Sequence, residues 1–162
     1  MSDTTMKAVR CHGFGGQHRL EEVDIPRPGP GDVLIRVDAT GICAADRAMW
    51  DATGPWELNF PFTPGHEFTG TVAELGAGAG ELHGLKVGDR AIAELNVSYG
   101  NDFYRQRGAY HLTDHMQVLG ATLDGAWANY MLYPAEAVIH KVPEGLSHRA
   151  ACYTEPLANA IH

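Results

Sequence analysis

No segment of this chain sustains a 3.6-residue apolar period over the length of a core helix; short strand-like runs recur instead, each cut off by glycine or proline. The clearest run is residues 33–39, where the odd positions Val33, Ile35, Val37 and Ala39 are all apolar, as in a half-buried strand. It follows a turn rich in proline and glycine at residues 26–31. Similar runs lie at residues 69–75, 90–93, 127–133 and 138–142, and residues 7–11 and 20–23 read as a first hairpin around the glycines at 13–16. Helical signals are few. Ser147 is an N-cap candidate for a short helix over 147–152, and residues 157–162 resemble the opening turns of another. The glycines at 76, 78 and 80 read as a mobile turn. Many short strands without long helices between them predict a mostly-β barrel or sandwich.

At 162 residues, 44% of them hydrophobic, the chain can bury the core of one domain. Twelve basic against twenty acidic residues give a net charge of −8, so the surface repels phosphate backbones and anionic lipid. Neither nucleic acid nor a membrane is an expected partner. No apolar run is long enough to cross a bilayer, and Met1 to Thr5 carry neither the basic nor the apolar region of a signal peptide, so a cytoplasmic protein is expected. Three cysteines, Cys11, Cys43 and Cys152, are too few and too scattered for a disulfide framework.

The residues able to carry chemistry stand in three separated pieces: Cys43 with Asp46, His66 with Glu67, and Glu155. Thiolate, imidazole and carboxylate together make a plausible zinc set, because a catalytic zinc takes three protein ligands and keeps a position for water or substrate. Long separations alone do not prove it. Cys43 also reads as a small buried apolar residue, His66 as part of an exposed turn, and Glu67 and Glu155 as solvated charges. Asp46 doubles as a helix N-cap for the residues from Arg47 onward, and Trp50 and Trp56 read as core fillers.

Five pieces in order carry a family resemblance: Gly41, Ile42 and Cys43 with Asp46; Pro64, Gly65, His66 and Glu67 with Gly70; Lys86 to Arg90; Gly125, Trp127, Ala128 and Tyr130; and Glu155, Pro156 and Leu157. Together they resemble the zinc-dependent medium-chain alcohol and polyol dehydrogenases, most of all the erythritol and threitol type. The resemblance implies a GroES-like, partly open β-barrel with a few short helices over residues 1–155. Residues 156–162 would then begin the link to a nucleotide-binding Rossmann domain that lies outside this chain. It also implies Cys43, His66 and Glu67 as ligands of one catalytic zinc, and Glu155 as a ligand directly or through water. Asp46 would be the acceptor that orients His66 from behind. A carboxylate in place of a second thiolate leaves zinc the stronger Lewis acid and points to polyols over simple alcohols. The implied reaction is reversible oxidation of a secondary alcohol by NAD or NADP, in a parent expected to be a homo-oligomer.

Two departures from the family pattern stand out. Ala45 occupies the place where many relatives carry the hydroxyl that relays the alcohol proton, which leaves water, Glu155 or a substrate hydroxyl for that role. In the lobe around residues 95–120, the four cysteine positions of the family's structural zinc fall on Tyr99, Asp102, Arg105 and Thr113, so no structural zinc is expected. An Asp102–Arg105 ion pair or packing of Tyr99, Phe103, Tyr104 and Tyr110 would have to hold that lobe, or leave it mobile. Gly13, Gly15 and Gly16 lack the spacing and the following helix of a dinucleotide fingerprint, so these residues alone should be inactive. Two rivals remain: a zinc-free quinone-reductase-like relative, against which the four ligand candidates argue, and a non-catalytic GroES-like binding module, whose apolar-tipped loop is not evident here.

Overall fold

The computed structural model describes residues 4–54 and 58–161, so Trp56 and the terminal His162 lie outside the described residues. The first strands, β1 (Thr5–Cys11) and β2 (His18–Asp24), pair antiparallel as the expected hairpin, with Cys11 opposite His18. Then come β3 (Val33–Thr40), α1 (Ala44–Trp50), β4 (Phe68–Leu75), α2 (Ala79–His83) and β5 (Arg90–Ala93). The lobe follows with β6 (Asn96–Ser98) and β7 (Met116–Val118), and the chain continues through β8 (Tyr130–Tyr133), β9 (Ile139–Lys141), α3 (His148–Ala151) and α4 (Thr154–Ile161).

The central sheet is antiparallel throughout, in the order β8–β3–β4–β5–β9. Two register shifts in the β3–β4 pair bend it, as bulges do. The hairpin extends the sheet beyond β8, since the Val9 amide donates to Trp127 O at 2.7 Å and the Asn129 amide to Lys7 O at 3.0 Å. The result is the mostly-β, partly open barrel expected from the sequence, with no doubly wound parallel sheet among the described residues. Ile35, Val72, Met131 and Tyr133 fill its interior with Val33 and Leu119, each large apolar side chain contributing about 1.5–3 kcal/mol on burial. Leu34 is buried as well as its neighbours, so the start of β3 is covered on both faces where alternation predicted one.

Two helices were not legible. α1 opens at Cys43 as N-cap, which corrects the reading of Asp46: it sits three residues into the helix, where its Oδ2 accepts the Cys43 amide at 2.8 Å. α2 grows out of the glycine run expected to be a mobile turn, whose start is tied by hydrogen bonds from the Gly76 amide to Asp32 O and from the Gly31 amide to Ala77 O. Ser147 does cap α3, its hydroxyl accepting the Ala150 amide at 3.1 Å. Trp50 is not a core filler; it is half exposed and stacks on His18 with ring centres 4.6 Å apart.

In the lobe, no Asp102–Arg105 ion pair forms among the described residues. Asp102 instead accepts the backbone amides of Tyr104 and Arg105, both at 2.9 Å, and the hydroxyl of Thr113. One carboxylate thus ties together Asp102, Arg105 and Thr113, three of the four positions singled out in this lobe. Tyr99 packs on the main core, whereas Phe103 and Tyr104 make an edge-on pair out in solvent, with Arg107 over the Phe103 ring. The Arg105 amide, then the Thr113 hydroxyl, hold the Asp102 carboxyl below the usual carboxylate range. A depressed folded-state pKa contributes stability above the ordinary range and loses it as the pH falls through the folded value. Asp102→Ala should therefore lower the thermal midpoint near neutrality, and the gap from the wild type should shrink as the pH drops below about 4. A gap independent of pH, measured by calorimetry, would contradict a charge-dependent clasp.

Candidate metal centre

Strand register brings the candidate ligands together. Thr40 at the end of β3 pairs with Phe68 at the start of β4, so Cys43, just past one strand, and His66 and Glu67, just before the other, share one end of the sheet. The Gly41 amide donates to Glu67 O at 2.7 Å and closes that end. α3 packs on β3 and β4, and the Cys152 thiol donates to the same Glu67 oxygen at 3.2 Å.

Trp127 braces both ligand segments. Its indole Nε1 donates to Gly41 O at 3.1 Å, and its amide donates to Pro64 O at 2.9 Å. Gly65 has φ of +99°, and a Cβ there would stand 2.4 Å from Trp127 Cδ1. At Gly41 a Cβ would come within 2.2 Å of Glu67 Oε2. Position 65 therefore needs glycine, whereas a Cβ at Gly41 would displace the carboxylate end of Glu67, the ligand candidate itself.

The donor atoms of Cys43, His66 and Glu67 all lie within 4.8 Å of one another. Burial pushes the Cys43 thiol above its ordinary value, and the carboxylates of Glu67, Asp46 and Glu155 push it further. Such a crowd of negative groups favours a bound cation, which inverts the effect and deprotonates the thiol. One sulfur, one nitrogen and one oxygen donor, with space beside them, fit the open set of a catalytic zinc. Asp46 is buried, and its Oδ1, which has no hydrogen-bond partner, lies 3.6 Å from His66 Nδ1, on the expected side of the ring but beyond hydrogen-bond reach. Burial raises its pKa.

Glu155 falls outside the trio. It projects from the first turn of α4, with Asn159 donating to its carboxylate, and lines a cleft of about 470 Å³ that His66 also faces. Glu94, Tyr110, His111 and His140 line the same cleft, and sequence reasoning missed the part these four play. They come from three separate parts of the fold, the residue after β5, one 3-10 turn of the lobe and β9, so no spacing could have revealed them. The signal for the Trp127 brace was present, as a glycine two residues before Cys43 and another directly before His66.

Residues 29–144 match the family model of the alcohol dehydrogenase GroES-like domain. An erythritol/L-threitol dehydrogenase from Mycolicibacterium smegmatis is 40% identical over 97% of this chain and 46% of its own length. An L-threonine 3-dehydrogenase from Pyrococcus horikoshii is 37% identical over 92% of the chain and 42% of its own length. The chain therefore spans about half the length of the curated relatives it matches. Among solved structures, a protein from Sinorhizobium meliloti assigned to the zinc-binding dehydrogenases, with NADP bound, superposes with a TM-score of 0.86 at 34% identity, covering 99% of this chain and 45% of that one.

Proposed function

The chain belongs to the alcohol dehydrogenase GroES-like domain family, and from that membership we propose that it forms the metal-binding half of a zinc-dependent, NAD- or NADP-linked polyol dehydrogenase. The observation that carries the proposal is the convergence of Cys43, His66 and Glu67 at the edge of a cleft whose wall also holds Glu155. In this reading Cys43, His66 and Glu67 hold the zinc, and Glu155, on the cleft wall that His66 also lines, serves as a further or exchangeable ligand. Bound there, zinc supplies Lewis-acid stabilisation of the substrate oxygen, and the nicotinamide supplies the redox chemistry.

The chain's own residues do the rest. Asp46 anchors the start of α1 through the Cys43 amide and stands behind His66, 3.6 Å from its Nδ1, where a small closing shift would let it accept the ring N–H and orient the ligand. Position 45 is alanine, so in this reading the proton of the reacting hydroxyl passes to Glu155, whose carboxylate Asn159 holds, to water or to a second substrate hydroxyl. The 40% identity to an erythritol/L-threitol dehydrogenase supports a tetritol as substrate and a ketose as product.

The test is to assay the full-length protein with tetritols, pentitols and L-threonine, using NAD and NADP, following the reduced cofactor and measuring zinc per chain. One zinc and oxidation of at least one polyol are expected. No polyol turnover by zinc-loaded protein, or a clear preference for L-threonine, would overturn the assignment.

A further inference from the structure

The lobe reaches the cleft. Its second 3-10 turn, Tyr110–Leu112, places Tyr110 and His111 on the wall that His66 and Glu155 also line. Resting on the polyol reading above, we infer that Tyr110 and His111 form with Glu94 the subsite that recognises hydroxyl groups of the substrate away from the reacting carbon.

Three observations carry this. The Tyr110 hydroxyl donates to Glu94 Oε2 at 3.3 Å, and His140 Nε2 stands 3.5 Å from Glu94 Oε1, so a connected row of polar groups runs along the wall. Glu94 also pushes the Tyr110 phenol above its ordinary pKa, which keeps its proton in place. A carboxylate only accepts hydrogen bonds, whereas a phenol and an imidazole can do either, and hydroxyl groups pair with both kinds. Second, no lysine or arginine is among the described residues lining the cleft, so a phosphate or carboxylate tail would meet Glu94 and Glu155 without a countercharge from this chain. A neutral polyhydroxylated chain is the class that fits. Third, the turn is held in advance. The Thr113 amide donates to Tyr110 O, and the Thr113 side chain is tied to Asp102. The polar row therefore exists before substrate arrives, which lowers the ordering cost of binding.

The experiment compares an internal pair of substrates on the full-length protein. A tetritol and butane-2,3-diol share the reacting secondary carbon, but only the tetritol carries terminal hydroxyls. Values of kcat/KM for both are measured on the wild type, on Tyr110→Phe, on His111→Ala and on the double variant. The ratio of tetritol to butane-2,3-diol is expected to fall by about tenfold or more in the double variant, mostly through the KM of the tetritol. Tyr110→Phe keeps the ring and removes only the hydroxyl, and partial misfolding or metal loss scales both substrates alike, so the ratio isolates recognition. A wild type that oxidises tetritols together with variants whose ratio stays within about twofold overturns the subsite alone. A zinc-loaded wild type that oxidises butane-2,3-diol but no polyol overturns both the subsite and the reading beneath it.

Discussion

Replacing His66 with alanine is expected to strip zinc from the full-length protein and to lower its turnover of tetritols by about a thousandfold or more. The size follows from what the ligand supports. Lewis-acid polarisation of a reacting oxygen is worth several kcal/mol of barrier, and each 1.36 kcal/mol is about a factor of ten in rate. Losing one of three protein ligands also leaves Cys43 as a half-buried thiol among carboxylates, with its pKa raised and a proton to shed before it can bind metal. Cobalt substitution gives a direct readout: wild-type protein should show the charge-transfer absorption of a thiolate–cobalt bond, and His66→Ala should not. Full zinc occupancy with wild-type activity in His66→Ala would remove His66 from the site.

Assayed by themselves, these 162 residues are expected to oxidise no polyol with either cofactor, even when zinc is bound. Hydride transfer needs the nicotinamide held against the reacting carbon, and positioning of that kind accounts for about 7–11 kcal/mol of barrier lowering. Nothing in this chain matches the glycine-rich turn at the start of a helix that holds a dinucleotide, and its central sheet is antiparallel. Side-by-side assays at equal zinc content check this. Turnover by the 162-residue chain within about a hundredfold of the full-length protein would show that cofactor positioning arises within these residues.

Most strands were legible because alternation and punctuation agree in them: Val33, Ile35 and Val37 mark β3, and glycine or proline bounds its neighbours; β6 and β7, three residues each, are too short to show alternation and were not. Nor were two of the short helices, α1 and α2. α1 is capped by a cysteine, which is no ordinary N-cap residue, and α2 starts among glycines, against helical propensity. Contacts made elsewhere in the fold, such as the hydrogen bonds around Gly76, hold these turns in place. For the site, residue types named the candidates, but the interval from Cys43 to His66 says nothing of proximity. The pairing of Thr40 with Phe68 supplies it, and that register is a property of two strands together. Glu94, Tyr110 and His111 are further still from any linear signal, because the end of β5 and a 3-10 turn of the lobe meet only in space.

The brace at Trp127 separates what this architecture can change from what it must keep. One indole presses on the glycine before His66 and bonds to the glycine ahead of Cys43, so the two segments behave as the jaws of a single vice. A residue inserted in either jaw is felt by the other, since both share one pivot. The segment between β6 and β7 hangs outside that mechanism, closed on itself through Asp102. Its length and chemistry can drift, and with them the shape of the cleft wall, while the spacing of Cys43, His66 and Glu67 stays fixed.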